Sequence, residues 1–236
     1  MRLYIFIFSF ISASLYASIV SADITIHDES YTPGTWTASI LGGTNVTSAS
    51  ITRLVGQGVT GNAQQTTING TGSFTFDVQH FKLDRPFVTS VDGIMQNINW
   101  ETWYKVENAS QFASWRLAAR QGGDTFIAGT TYFEPQSFSP FWQRATGTLV
   151  PADFGRVTGA GSPTLDTAVG SKPIEFGYVL SRGIFLTGTS QYRTSFLNLN
   201  ITTTAVPEPG TWLMIATVSS FFVARRVRDR FNKAYA

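Results

Sequence analysis

Large apolar residues in the middle of this chain recur at every second position, in one short run after another. The successive runs are Phe74, Phe76 and Val78; Ile94, Ile98, Trp100, Tyr104 and Val106; Trp115, Leu117 and Ala119; Ile174, Phe176, Tyr178 and Leu180; and Leu197, Leu199 and Ile201. Polar residues alternate with them, so each run predicts a strand with one dry face and one wet face. Strands of this kind are typical of an antiparallel β-sandwich, and we expect an all-β fold.

Turn signals separate these runs, and helical periodicity of useful length is missing from the same region. The predicted turns are Gly42-Gly43, Asn69-Gly70, Asp92-Gly93, Gly122-Gly123 and the segment from Gly159 to Pro163. Residues 41–72 are rich in Thr, Gly, Asn and Gln and contain few large apolar groups. We therefore expect exposed loops or an edge strand over 41–72.

The first 22 residues have the organisation of a secretory signal peptide. Arg2 precedes an apolar run over residues 3–15, which is too short for a stable transmembrane span. Val20 and Ala22 then place small residues at the positions that a signal peptidase requires, so we predict cleavage after Ala22. The alternative is an uncleaved N-terminal anchor. No basic stop-transfer cluster follows the run, which favours cleavage.

The C-terminal segment 206–236 begins with a stiff strip and continues with an apolar stretch. The strip consists of Val206, Pro207, Glu208, Pro209 and Gly210. Proline lacks a backbone donor and disfavours helix in the preceding residue, so this strip should be extended and accessible. Residues 211–224 are apolar. As a helix they would cover about 21 Å of a hydrocarbon core about 30 Å thick, which makes a marginal span.

A basic segment, 225–236, follows the apolar stretch. Its arginines are Arg225, Arg226, Arg228 and Arg230. Arginines in this position favour the cytoplasmic side and can extend to the interface of a locally thinned bilayer. The predicted orientation places the central domain outside the cytoplasm, as a signal peptide would. A buried core helix over 211–224 is the alternative, and the cluster of charges directly after it disfavours that.

This order of a Pro-Glu-Pro motif, a short apolar helix and an arginine cluster resembles the PEP-CTERM sorting signal. An exosortase embedded in the membrane recognises such tails in Gram-negative bacteria that make exopolysaccharide. The resemblance implies that Pro207, Glu208 and Pro209 are the recognised motif and that 211–224 spans the membrane. It also implies export, transient anchoring in the inner membrane with the domain on the periplasmic side, and release to the cell surface or extracellular matrix. It does not identify what the central domain binds.

The resulting organisation is a signal peptide over 1–22, a β-sandwich domain over 23–205 and a sorting tail over 206–236. Six of the 17 basic residues and two of the 15 acidic residues lie in the two terminal segments, which leaves 11 basic and 13 acidic residues in the domain. The basicity of the chain therefore belongs to its ends, and a nucleic-acid partner has no support. Cysteine is absent, which excludes disulfides, thiolate metal sites and a cysteine nucleophile.

Aromatic residues are concentrated between Trp100 and Trp142, where stacking on sugar rings is a possible role. Every second side chain of a strand points to the same face, which assigns Trp100 to the core and places Trp103 on the opposite face, beside Asn97 and Asn99. Trp142 lies in a loop context. We therefore take Trp103, Trp142, Asn97 and Asn99 as candidate sugar-binding residues, the alternative being that these rings only fill the core.

The domain as a whole resembles the lectin-like jelly-roll sandwiches that often precede such tails. The resemblance rests on the segment from Pro173 to Tyr178 and on the alternating segment from Ser195 to Thr202. It implies a jelly-roll-like sandwich without naming a sugar. The chain is then expected to be a surface or matrix protein that binds carbohydrate or another envelope component and is not an enzyme.

Two other functions remain open from the sequence. A secreted glycosidase or lyase on the same sandwich would need paired carboxylates, and Glu101 and Glu175 are the candidates if they face one groove. An ice-binding type of adhesin would need a regular threonine array, which loops such as Thr66-Thr67 do not provide. No catalytic, cofactor or metal motif occurs in a credible context, because the two histidines, His27 and His80, are too few and the acidic residues too scattered. No cofactor is expected.

Overall fold

The computed structural model describes residues 21–107, 114–129, 141–184 and 188–204. Residues 21–204 make up one compact unit. Almost all of its regular structure is antiparallel β, which confirms the predicted class. Residues 1–20 of the predicted signal peptide, the predicted sorting motif, the apolar segment 211–224 and the arginine cluster lie outside the described residues.

Ten strands and two short helical turns follow one another along the described chain. They are β1 (Ser21–Asp28), β2 (Trp36–Leu54), β3 (Ala63–Lys82), α1 (Thr89–Asp92), β4 (Ile94–Val106), β5 (Ser114–Gln121), β6 (Asp124–Ala128), β7 (Gln143–Leu149), the 3₁₀ turn η1 (Pro151–Asp153), β8 (Phe154–Arg156), β9 (Ile174–Ile184) and β10 (Gly188–Thr204). Strand β1 begins at Ser21 and so includes Ala22, the predicted cleavage position. Within the described ranges, no helix is long and apolar enough to cross a membrane.

The strands form two layers that share the long strands β3 and β10. One layer has the order β7-β4-β10-β1, and the other has the order β2-β3-β9-β5-β6-β8. The first half of β3 pairs with the first half of β10, while its second half pairs with β9. A strand that changes partners in this way turns the corner of a sandwich.

The inner faces of the two layers meet in an aromatic core. The indole of Trp100 on β4 stacks on that of Trp115 on β5, with centroids 5.1 Å apart, although these strands are not hydrogen-bonded neighbours. Trp115 in turn stacks on Tyr178 of β9 at 5.5 Å. Stacked rings of this size bury a large apolar area and fix the spacing of the layers. The alternating apolar residues of β4, β5, β9 and β10 lie on these inner faces, as the sequence predicts, with the exception of Ile94. Ile94 is only half-buried and Met95 beside it is buried instead, because the pairing of β4 with β10 is irregular between Thr202 and Thr203.

The polar region 41–72 differs in part from the prediction. Residues 41–54 belong to β2, an edge strand, as expected. Residues 63–72 belong to β3, which lies inside the sheet between β2 and its partners β10 and β9, so loops or an edge strand were the wrong expectation there. Gln64 and Thr66 point inward and are buried. Both side chains are hydrogen-bonded there, since Gln64 accepts from the Tyr178 hydroxyl and Thr66 bonds to His80.

Two of the five predicted turns are also wrong. Gly42-Gly43 lies within β2 at an irregularity of its pairing with β3, and Asn69-Gly70 lies within β3 opposite β10. The Gly122-Gly123 turn is confirmed. Both of these glycines have positive φ angles, 63° and 96°, which suit the tight connection between β5 and β6.

Candidate functional site

The outer face of the layer β7-β4-β10-β1 is polar and continuous across four strands. Strand register aligns the outward side chains in rows. One row contains Thr148, Asn99, Asn200 and Thr25, and the next contains Thr146, Glu101, Asn198 and His27. Six of these eight side chains are threonine or asparagine, which are short, so the surface there lies lower than it would with long side chains.

A groove of about 310 Å³ follows these two rows. Its polar lining comes from Asn99 and Glu101 on β4, Thr146 and Thr148 on β7, and Asn198 and Asn200 on β10. Gly147 forms part of the floor. An added Cβ there would come within 2.7 Å of the Trp100 indole nitrogen, so the missing side chain lets the buried indole lie directly beneath β7.

The groove holds hydrogen-bonding capacity that the described residues leave unused. The Thr148 hydroxyl donates to Oδ1 of Asn99 at 2.7 Å. Oδ1 of Asn198 and Oδ1 of Asn200 are both shielded from water, and no donor among the described residues reaches either atom. A buried polar atom without a partner costs free energy, so rotation of either amide toward a ligand donor in the groove would relieve that cost.

Aromatic side chains lie across the same face beside the groove: Trp103 and Phe196 lie one row beyond it, and His27 lies at the β1 end of its second row. Trp103 on β4 is half-buried and is in register with Phe196 on β10. The His27 ring on β1 packs against Phe196 with centroids 5.7 Å apart and a tilt of 48°. We call Trp103, Phe196 and His27 the aromatic strip.

Glu101 connects the groove to the aromatic strip. Its Oε1 accepts a hydrogen bond from Nε of Arg144 at 2.7 Å and one from Nε1 of Trp103 at 3.2 Å. The Arg144 guanidinium is the main reason why the pKa of Glu101 lies below its usual range. This carboxylate oxygen thus fixes the orientation of the Trp103 indole. A fixed ring orientation favours stacking of a ligand on the ring.

Three of the four predicted sugar-binding residues lie on this one face. Asn99 lines the groove, Trp103 belongs to the aromatic strip, and Asn97 lies in the adjoining row opposite Thr202. Trp142 is half-buried, immediately precedes β7 and does not line the groove.

Sequence reasoning missed the contributions of β7 and β10 to the groove. It placed Asn198 and Asn200 on the outer face of β10, but the register that sets them beside Asn99 and Glu101 depends on a bulge between Thr194 and Phe196. No local pattern in the sequence indicates which strands are neighbours.

The two glutamates that a glycosidase would need do not share a groove. Glu101 lies on the outer face of one layer, since its neighbour Trp100 points into the core. Glu175 lies on the outer face of the other layer, because Ile174 and Phe176 beside it are buried. Each carboxylate contacts an arginine, Glu101 with Arg144 at 2.7 Å and Glu175 with Arg120 at 2.5 Å.

The chain matches no protein-family model and no curated protein. Among solved structures it is similar to a family 11 carbohydrate-binding module from Clostridium thermocellum in complex with a β-1,3-1,4-mixed-linked tetrasaccharide, at 11% identity and a TM-score of 0.43, covering 75% of this chain and 94% of that chain.

Two further similarities are to a family 30 carbohydrate-binding module from Clostridium thermocellum and to a xylan-binding domain from Paenibacillus barcinonensis. The first has 9% identity and a TM-score of 0.44, covering 76% of this chain and 98% of that chain. The second has 13% identity and a TM-score of 0.43, with coverage of 77% and 95%. These scores are too low to transfer a ligand, and the function proposed below rests on the groove itself.

The described residues contain no cluster of three or more His, Cys, Asp or Glu side chains that could hold a metal ion. The groove and the adjoining Trp103 offer hydrogen bonding by amides and hydroxyls, stacking on an indole, and the Glu101 carboxylate engaged by Arg144.

Proposed function

We propose that the outer face of β7-β4-β10-β1 binds a carbohydrate chain. The observation that carries this proposal is the groove with two unpaired amide oxygens, those of Asn198 and Asn200, one row away from an oriented indole. Sugars present the complementary chemistry, because their hydroxyls donate hydrogen bonds and their C–H faces stack on aromatic rings. We propose a binding role without catalysis, since the only carboxylate that lines the described groove, Glu101, is held by Arg144 and Trp103.

Replacement of Trp103 with alanine is expected to weaken polysaccharide binding by about tenfold or more, which corresponds to about 1.4 kcal/mol. The physical reason is the loss of the stacking platform, with the groove amides left in place. Affinity electrophoresis of the purified full-length chain against a panel of soluble polysaccharides measures the change.

Trp103→Phe is the matched control, because it retains an aromatic ring, and it should recover part of the affinity. Trp142→Ala tests the remaining candidate and should have a smaller effect, since Trp142 does not line the groove. Circular dichroism must show that all three variants fold. An unchanged affinity in Trp103→Ala, or no binding to any polysaccharide by the unmodified chain, would refute the proposal.

We further propose that the chain is exported and anchored by 211–224, and is then processed by an exosortase at the Pro207-Glu208-Pro209 motif. This rests on the three-part order of motif, apolar segment and arginine cluster in the tail. The chain would then display or release the sandwich outside the cell, where polysaccharide is available.

Combined replacement of Pro207 and Glu208 with alanine is expected to leave nearly all of the chain at full length in the inner membrane. The change removes the rigid extended strip that a processing enzyme would recognise while keeping the apolar segment. Intact mass spectrometry of the membrane and extracellular fractions measures it. The matched control is Glu29→Ala with Pro33→Ala, the same two residue types at exposed positions between β1 and β2, which should process normally. Normal processing of the tail variant would contradict the assignment.

A further inference from the structure

Among its described residues the outer face contains three cations, Lys105, Arg144 and Arg193, and each of them contacts a carboxylate. The carboxylates of the face are Asp23, Glu101, Glu107 and Glu29, which lies 3.8 Å from His27 directly after β1. We infer that this face selects neutral glycans, and that Glu107 is the residue that prevents anionic polymers from binding. This inference rests on the carbohydrate-binding function proposed above.

The Glu107 carboxylate contacts two cations, Lys105 and Arg193. It lies 3.1 Å from Nζ of Lys105 and 3.0 Å from Nε of Arg193, and Lys105 and Arg193 are in register on β4 and β10. The three side chains retain about a fifth of their exposure, 21%, 21% and 19%. Nη1 of Arg193 also donates to Oε1 of Gln57 at 2.9 Å. Partial burial and several contacts hold this cluster more firmly than a fully exposed ion pair.

The cluster lies close enough to the aromatic strip to act on a bound ligand. Lys105 is two residues beyond Trp103 on the same face of β4, and two residues in a strand span about 6.7 Å. This distance is shorter than the screening length of about 8 Å at physiological ionic strength. Glu107 offsets one of the two positive charges of Lys105 and Arg193, so its loss would double the local positive charge and attract a carboxylated sugar stacked on Trp103.

On the groove side of Trp103, Arg144 is offset in the same way. Its Nε donates to Oε1 of Glu101 at 2.7 Å. The Asp23 carboxylate lies further along the face, where it accepts a hydrogen bond from the Thr202 hydroxyl at 3.0 Å. The face therefore carries no excess of positive charge, and apart from Glu101 the groove is lined by amides and hydroxyls, which suit the hydroxyls of uncharged sugars.

The test measures the affinity of the purified full-length chain for a panel of neutral glucans, mannans and xylans and for polygalacturonate, an anionic polysaccharide. The unmodified chain should bind a neutral member of the panel and bind polygalacturonate at least about tenfold more weakly. Glu107→Gln should gain about tenfold or more in affinity for polygalacturonate. That gain should disappear in 1 M salt, where the screening length falls to about 3 Å. Its affinity for the neutral glycan should change less than about twofold.

Glu175→Gln is the matched control, because it makes the same change beside Arg120 on the opposite outer face. It should leave the affinity for polygalacturonate unchanged. An equal gain in this control, or no gain in Glu107→Gln, overturns the role of Glu107. Preference of the unmodified chain for polygalacturonate overturns the inference but leaves carbohydrate binding standing. Absence of binding to every polysaccharide removes the proposed function and the inference with it.

Discussion

Replacement of Asp28 with alanine is expected to lower the free energy of unfolding by about 3–5 kcal/mol, the cost of leaving one partner of a buried ion pair alone. Nζ of Lys82 lies 2.8 Å from Oδ2 of Asp28, and only 9% and 3% of the two side chains are exposed. Without Asp28, the mostly buried ammonium would keep only its contact with Asp84. Urea denaturation at pH 7 measures the change.

Asp28 also joins the ends of three strands. Its Oδ2 accepts a hydrogen bond from the Trp36 indole at 2.7 Å, and its Oδ1 accepts from the backbone N–H groups of Ser30 and Tyr31. Asp28 ends β1, Trp36 begins β2 and Lys82 ends β3. The carboxylate therefore fastens the β1 edge of one layer to the other layer.

Asp84→Ala is the matched control, because Asp84 contacts the same lysine at 2.7 Å but has 46% of its side chain exposed. Exposed ion pairs contribute less than about 1 kcal/mol, so this variant should remain close to the unmodified chain. Equal losses in the two variants would contradict the special role of Asp28.

The contribution of Asp28 also depends on pH. Burial alone raises the pKa of this carboxyl, but hydrogen bonds from Lys82, Trp36 and Ser30 outweigh burial and hold the pKa well below its usual range. A carboxyl with a depressed pKa in the folded state stabilises the fold above its unfolded pKa and loses this effect as the pH falls. The loss should therefore begin below about pH 5.

The sequence predicts the dry and wet faces of individual strands well, because the period of two is a local property. The alternation of Trp100 and Tyr104 with Glu101 and Trp103 is sufficient to separate core from surface on β4. The same alternation places Asn198 on the outer face of β10.

Strand pairing is much less visible in the sequence. The groove exists because β7 and β10 flank β4, and neither contact is local in the chain. The expectation of loops or an edge strand over the first part of β3 was wrong for a related reason, because its partner β10 also lies far away in the sequence. The inward residues Gln64 and Thr66 of β3 are polar, and their burial is made tolerable only by hydrogen bonds to Tyr178 and His80, which lie elsewhere in the sequence.

As the pH is lowered from about 6 to about 4, protonation of His80 in the unfolded chain is expected to lower the free energy of unfolding by about 1.4 kcal/mol for each pH unit. The side chain is fully buried, stacks on Tyr178 with centroids 4.4 Å apart, and shares a 2.9 Å hydrogen bond between its Nε2 and the Thr66 hydroxyl. Burial lowers its pKa from 6.5 to about 3, because the charged ring would lose its hydration.

The direction of the effect follows from the protons bound in each state. Between pH 6.5 and pH 3 the unfolded chain carries a proton on His80 and the folded chain does not. Acid therefore favours unfolding across this window, and the contribution is complete only above pH 6.5. The Asp28 contribution is lost only below about pH 5, so urea denaturation between about pH 6 and pH 5 measures the His80 effect separately from that of Asp28.

His80→Gln should flatten the pH dependence, since glutamine does not titrate and its amide can still bond to the Thr66 hydroxyl. The variant is expected to be less stable at pH 7, so the informative quantity is the slope with pH rather than the stability itself. His27→Gln is the matched control, because it makes the same substitution at a side chain that is 42% exposed, and it should keep the slope. A slope that persists in His80→Gln would contradict this prediction. It would show that a group other than His80 binds the proton when the chain unfolds.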